Sequence, residues 1–106
     1  MRNPVEIENI EEMRRREGID DVELREEIRG LQVGDSVKLT FRPGLQAVAG
    51  ETLLVRITRI RGDAFRGKLA GRPASAGLAQ FRVGSPVAFT AAHIHSVPKV
   101  QPAHER

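Results

Sequence analysis

The spacing of hydrophobic and polar positions changes once along the chain, close to Gly30. Before Gly30, apolar residues lie at helical spacing among many charges, and Gly18 interrupts them, which predicts two helices. After Gly30, apolar and polar residues alternate over 37–41, 52–60 and 65–69. Short strands are predicted at 86–89 and, after a tight turn, at the end of "AAHIHSV" at 91–97. The pattern therefore predicts an α+β chain: two N-terminal helices followed by a small, strongly bent antiparallel sheet of five strands.

Capping residues mark the expected ends of the helices. Asn3 suits the N-cap of the first helix, with Pro4 in its first turn and Glu6 three residues after the cap. Asp20 is placed to cap the second helix, and Gly30 ends it. Four apolar positions are expected to form the buried stripe of the second helix, with Leu24 as a further candidate: Ile19, Val22, Ile28 and Leu31.

The 52–69 segment predicts a hairpin with a defined register. Ile60 follows Ile57 by three residues, which suits a strand only if a β-bulge lies near Thr58–Arg59. Such a bulge sets Ile60 opposite Phe65, with the turn at 61–64 between them. The remaining pairs follow: Ile57 with Gly67, Val55 with Leu69, and, on the outer face, Arg56 with Lys68 and Arg66 with Thr58 and Arg59.

Two stretches nearly repeat each other, "LQVGDSVKLT" at 31–40 and "FRVGSPVAFT" at 81–90. In each copy a glycine follows a valine, and a strand is expected to begin at Val37 or Val87. A nucleotide cradle needs several glycines and a following helix. The repeat therefore indicates two similar glycine turns that lead into strands of a small barrel.

The stretch at 50–97 resembles an uncharacterised group of small bacterial β-domains. The family's pattern corresponds here to a strand, a Gly-Asp turn, a "GxL" strand with a following Pro, a glycine turn and a closing Ile: 54–58, Gly62-Asp63, 67–69 with Arg72-Pro73, 84–89 and Ile94. Leu54, Arg72 and Ser85 stand where that pattern has Trp, Asn and Asp. The resemblance implies an SH3-like barrel and no catalytic residue.

Charge is distributed unevenly. Residues 1–37 carry 6 Lys/Arg and 11 Asp/Glu, a net charge of −5, whereas residues 38–106 carry 11 and 3, a net charge of +8. We expect one domain over 1–106, comprising an acidic helical segment at 1–30, a basic β-barrel at 31–97 and a loose tail at 98–106. Without cysteine and without an apolar leader in "MRNPVEIENIEE", the chain is expected in the cytoplasm.

Basic residues are the main candidates for binding a partner. Those predicted for a partner or a nucleic acid are Arg56, Arg59, Arg66, Lys68, Arg72 and Arg82, with Arg61 nearby. The first hypothesis is a non-catalytic binding or assembly module for an unknown protein partner or for self-association. The alternative is a nucleic-acid-binding protein whose basic sheet face holds phosphates. A helix before a small bent sheet is also similar to the Sm-like RNA-binding ring proteins. Against that similarity, this chain has a second predicted helix and only 4 Phe as aromatics.

Histidines give a third and weaker hypothesis, a metal or small-molecule sensor. His93 and His95 are two apart, so on one strand their rings would share a face. A closed site needs about four ligands, and only His104 and Glu105 are nearby, so no metal or other cofactor is expected. Serines fall on turns and carboxylates on helices, which offers no nucleophile and base, and the chain is predicted not to be an enzyme.

Overall fold

The structure, a computed structural model, describes residues 5–18, 21–43, 50–74, 78 and 81–98. Strand β1 spans Val5–Ile7 and is followed by helices α1, Ile10–Arg16, and α2, Val22–Arg29. Four longer strands follow: β2, Ser36–Pro43; β3, Glu51–Arg61; β4, Ala64–Leu69; and β5, Pro86–Thr90. A 3-10 helix at Ala91–His93 leads into β6, Ile94–Ser96.

All six strands belong to one antiparallel sheet in the order β1-β2-β3-β4-β5, and β6 returns to pair with β2. β6 pairs with β2 at Lys38 and Leu39, and β1 pairs with the same strand farther along, from Phe41 to Pro43. The return of β6 nearly closes the sheet into a barrel. The predicted α+β class with a small, strongly bent antiparallel sheet is therefore confirmed, with β1 as an additional strand.

The core lies inside the barrel and consists of the alternate residues of its strands. Val37, Leu39 and Val55 are completely buried, as the alternation predicted. Phe65 and Phe89 stack with ring centroids 5.3 Å apart. The sequence did not identify Leu78, which is fully buried although it lies in the Gly/Pro/Ala-rich connection between β4 and β5.

The β3–β4 hairpin has the predicted register. Val55 pairs with Leu69, Arg56 with Lys68 and Ile57 with Gly67, and the ladder then shifts, so that Arg59 pairs with Arg66 and Ile60 with Phe65. The shift lies between Ile57 and Arg59, which confirms the bulge near Thr58–Arg59. Because the bulge restores the alternation, the apolar residues stay inside and the basic residues stay outside.

The predicted start of the first helix is wrong. Val5–Ile7 forms a strand against Phe41–Pro43, and α1 begins only after Asn9, whose side-chain oxygen accepts the N–H of Glu12 at 2.8 Å. Glu6 lies opposite Arg42 of β2, and the N–H of Glu8 donates to the carbonyl oxygen of Thr40 at 2.9 Å, so tertiary pairing outweighs the local capping signal. Asn3 and Pro4 lie outside the described residues.

The second helix ends at Gly30, as predicted, but its N-cap is Asp21 and not the predicted Asp20, since the Asp21 carboxylate accepts the N–H of Leu24 at 2.9 Å. The predicted stripe needs correction, since Leu24 is buried and Val22 is 54% exposed. Val22 is the first helical residue and points away from the barrel, whereas Leu24 reaches the core, and Ile28 and Leu31 pack against it. Ile19 and Asp20, like the tail from residue 99 onward, lie outside the described residues.

No helix among the described residues is long and apolar enough to cross a lipid bilayer.

Candidate anion-binding face

The outer surface of the β3–β4 hairpin carries a row of paired cations. Ser36, Arg56, Lys68 and Pro86 lie opposite one another on β2, β3, β4 and β5. Residues directly opposite in an antiparallel pair have Cβ atoms about 5 Å apart. The exposed Arg56 and Lys68 side chains therefore leave the sheet side by side.

A second pair lies at the bulge. Arg59 is opposite Arg66, and both are exposed. The hydroxyl of Thr58 donates a hydrogen bond to the carbonyl oxygen of Arg66 at 3.2 Å, which holds the bulge against β4. Arg61, opposite Ala64 at the hairpin tip, is exposed on the same side. We call these five residues the basic face: Arg56, Arg59, Arg61, Arg66 and Lys68.

The cations of the basic face have no carboxylate partner within the described ranges. Ion pairs form elsewhere: Arg15 with Glu11 at 3.0 Å within α1, Arg29 with Glu26 at 3.0 Å within α2, and Arg14 with Asp21 at 3.2 Å between the helices. Like charges directly opposite on a sheet repel each other. The basic face is therefore an exposed cluster of positive charge that the described part of the chain does not neutralise.

The acidic helices do not cover this face. Ile10 of α1 and Leu24 of α2 line a groove of about 340 Å³ together with Ile94 and the 3-10 helix. A guanidinium nitrogen of Arg14 donates to the carbonyl oxygen of His95 at 3.3 Å, which ties α1 to β6. The helices thus pack over one end of the barrel, and the outer surface of β3 and β4 stays open.

Arg72 and Arg82, the other predicted binding residues, lie beyond the paired part of β4 and β5. Arg72 is exposed in the connection after β4, where Gly71 donates its N–H to the carbonyl oxygen of Leu54 at 3.2 Å. Arg82 is exposed in the turn before β5, and its backbone N–H donates to Ser85 Oγ at 3.0 Å. Neither arginine is paired with a residue of the basic face in the sheet. Lys38, which the prediction did not include, is exposed on β2 opposite Leu54 and adds an outward cation.

The two histidines of the metal hypothesis do not share a strand. His93 ends the 3-10 helix, and its Nδ1 accepts the backbone N–H of Thr90 at 3.0 Å. His95 lies in β6, and its Nδ1 is 3.0 Å from the hydroxyl oxygen of Ser96. Within the described ranges, no group of three or more His, Cys, Asp or Glu side chains could hold a metal ion. His104 lies outside them.

Burial lowers the pKa of His93 from its usual value of 6.5, because desolvation penalises the imidazolium. The accepted hydrogen bond from Thr90 fits the neutral ring, in which Nδ1 is the acceptor and Nε2 carries the proton. The ring of His93 therefore caps the N-terminus of the 3-10 helix, where β5 ends.

Comparison with known proteins assigns no family to this chain. The resemblance to small bacterial β-domains depends on turn and core positions such as Gly62-Asp63 and Ile94, and it stays a prediction. No protein-family model, curated protein or solved structure matches the chain.

Proposed function

We propose that this protein is a non-catalytic binding module that holds the phosphate backbone of a nucleic acid on the basic face. One observation carries the proposal: five outward cations on two adjacent strands are exposed and form no ion pair among the described residues, while the acidic helices pack over another part of the barrel. Phosphates attract Lys and Arg side chains without regard to base sequence.

The aromatic residues support a contact with the backbone rather than with the bases. Phe41, Phe65 and Phe89 are buried in the core, and Phe81 is half-buried with its ring centroid 5.9 Å from that of Phe41. Base stacking needs exposed aromatic faces. The expected binding is therefore electrostatic, depends strongly on salt and discriminates weakly between sequences.

The proposal includes an SH3-like barrel as the finer description of the fold. The 3-10 helix between the last two strands and the return of β6 to β2 support this assignment. A cytoplasmic location belongs to the same proposal, because nucleic acids are available there.

Binding of a fluorescent 20-nucleotide duplex and of a single strand, followed by anisotropy between 50 and 300 mM salt, tests the proposal. The double variant Arg56→Gln/Lys68→Gln should weaken binding and reduce the slope of log K against log salt by about 1 to 2, since each lost phosphate contact removes about 0.9 for duplex DNA. The matched control is Arg15→Gln/Arg29→Gln, which removes the same charge from the exposed faces of α1 and α2.

An equal loss in the control variant would overturn the assignment to the basic face, since it would reflect net charge alone. No measurable binding of either oligonucleotide at 50 mM salt would overturn the proposal altogether. A module for a protein partner, the first hypothesis drawn from the sequence, would then explain the exposed surfaces better than nucleic-acid binding.

A further inference from the structure

One end of the basic face opens into a depression of about 420 Å³. Three arginines of the basic face line it, Arg59, Arg61 and Arg66, together with Thr90 and His93 on the side of β5. From the sequence alone, the arginines were candidates for nucleic-acid binding and His93 was a candidate metal ligand. The fold brings them together because β4 pairs with β3 on one edge and with β5 on the other.

Small side chains explain why a depression lies between these strands. Arg66 is paired with Ala88 on β5, and Ala64 on β4 is paired with Thr90. Ala64 and Ala88 both point outward and are exposed, so the surface is low where the neighbouring strand carries long arginines. The result is an open hollow whose floor is formed by the methyl groups of Ala64 and Ala88 and whose rim is formed by the arginine side chains.

The polar groups of the hollow are suited to an anion. No ion pair is formed by its three arginines among the described residues, and guanidinium groups stay protonated at any physiological pH. Asp63, at the hairpin tip, lines a different groove, together with Ile28 and Leu31. Because Nδ1 of His93 accepts the N–H of Thr90, Nε2 is the donor that the neutral ring retains.

We propose that this hollow binds a phosphate monoester, either the terminal phosphate of a nucleic-acid strand or a mononucleotide. A monoester carries up to two negative charges and three acceptor oxygens at neutral pH, which three guanidinium groups can satisfy, whereas a diester within the chain carries one charge. If the phosphate belongs to the end of a strand, this inference rests on the proposed function. The hollow then holds the terminal phosphate, and Arg56 and Lys68 contact the internal backbone.

Affinities for oligonucleotides that end in a 5′-phosphate, a 3′-phosphate or two hydroxyl groups test the inference. One phosphorylated form should bind about tenfold more tightly than the hydroxyl form, as several charge-assisted hydrogen bonds to a terminal dianion would give. Arg66→Gln should abolish this advantage. Lys68→Gln is the matched control, since it removes one outward cation from the same strand outside the hollow, and it should weaken all oligonucleotides while preserving the tenfold ratio.

Equal affinities for phosphorylated and unphosphorylated oligonucleotides would exclude a strand end as the source of the phosphate and leave the proposed function standing. Binding of a mononucleotide is tested separately. Adenosine monophosphate and adenosine are each titrated into the protein, and binding is followed by the chemical shifts of the backbone amides. Shifts at Arg66 and Thr90 with the monophosphate alone, in a protein that binds no oligonucleotide, would support the hollow and overturn the proposed function. Absence of shifts with the monophosphate, together with equal oligonucleotide affinities, would overturn the hollow.

A second variant blocks the hollow without removing charge. Ala88→Gln places a longer neutral side chain on the methyl floor, and Ala88 is exposed, so a cooperative thermal transition is expected to persist. The advantage of the phosphorylated end should disappear, while the affinity of the hydroxyl form should change less than twofold. Retention of the full tenfold ratio in this variant would contradict binding inside the hollow.

Discussion

Gly34 and Gly84 hold equivalent positions in two copies of one turn, on opposite sides of the β3–β4 hairpin. The N–H of Gly34 donates to the carbonyl oxygen of Ile57 at 2.9 Å, and the N–H of Gly84 donates to that of Leu69 at 2.7 Å. Their φ angles are 101° and 96°, which L side chains rarely adopt. The repeated phrase thus encodes a backbone conformation that begins a strand beside the hairpin.

Side chains support both turns in the same way. Asp35 Oδ2 accepts the N–H of Gln32 at 2.9 Å, and Ser85 Oγ accepts the N–H of Arg82 at 3.0 Å. Ser85 therefore makes in the second turn the hydrogen bond that Asp35 makes in the first. The serine supports its turn without placing a negative charge on the barrel.

The register of the hairpin makes the two turns symmetric. Ile57, beside the first turn, pairs with Gly67, and Leu69, beside the second turn, pairs with Val55. Half a rotation about an axis perpendicular to the sheet exchanges these two pairs, and the axis passes between Arg56 and Lys68. The central cation pair of the basic face therefore lies midway between the two glycine turns.

Replacement of Gly84 by alanine should cost about 1–2 kcal/mol of unfolding free energy, because a side chain in the left-handed region is strained. Apart from Gly84 itself and its two chain neighbours, no atom lies within 4 Å of the added Cβ, so the cost is one of local backbone conformation. Urea denaturation measures it. Gly30→Ala is the control: its φ is −88° and its Cβ would lie 3.7 Å from the nearest atom, so little or no loss is expected. Equal losses in both variants would contradict the argument.

Gly67→Ala should be destabilising for a different reason. A Cβ at Gly67 would lie 2.5 Å from the carbonyl oxygen of Arg56 and 2.7 Å from Val55 Cγ1, so the β3 backbone would have to move. Overpacking of this kind costs about 1–3 kcal/mol. The melting temperature and the urea midpoint should both fall, whereas Ala64→Ser, exposed on the same strand, should change either by little. A stable Gly67→Ala protein would show that the inner face of β4 has room.

Leu24→Ala tests whether the helices and the barrel share one core. Leu24 is buried in the same cluster as Val37 and Leu39, so its truncation should cost about 2–4 kcal/mol. Val22→Ala, two residues earlier on the exposed surface of α2, should be neutral or slightly stabilising because alanine favours helices. Equal effects in the two variants would contradict docking of α2 through Leu24.

The cation pairs of the basic face should lower stability in the absence of a ligand. Lys68→Gln removes the charge opposite Arg56, so the unfolding free energy should rise by a few tenths of a kcal/mol at low salt. Added salt should stabilise the unaltered protein more than the variant, since screening relieves the same repulsion. Arg15→Gln, which breaks the ion pair with Glu11, should show the opposite sign. A loss of stability in Lys68→Gln would mean that this lysine has a stabilising partner.

Acid should destabilise the protein through His93. Its folded pKa lies below its unfolded value of 6.5, so the unfolded state binds the proton first as pH falls. Stability is retained above pH 6.5 and decreases below it, until the folded pKa is also passed. Chemical denaturation at several pH values should show this decrease, and His93→Gln should reduce it, whereas His95→Gln should leave the His93 contribution in place. An unchanged pH dependence in His93→Gln would contradict the assignment.

Local patterns in the sequence determined much of the sheet. The alternation around Val37 and Val55, the bulge needed to reconcile Ile57 with Ile60, and the glycines of the repeated phrase depend only on short-range geometry, and the structure has all three. The cation pairs Arg56–Lys68 and Arg59–Arg66 follow from the same register. A strand has a side-chain period of two, so one correctly placed turn fixes every pair of a hairpin.

Tertiary structure alone decided the rest. Val5–Ile7 became a strand because β2 offered an unpaired edge, and no signal within those residues reveals that partner. Leu78 is buried in the core although its segment has the composition of a loop. The helices pack over one end of the barrel, so the basic face stays open. The hollow that joins Arg66 to His93 needs three strands to be adjacent. Such contacts depend on distant residues meeting, and their free energy comes from burial and hydrogen bonding across the fold rather than from local propensity.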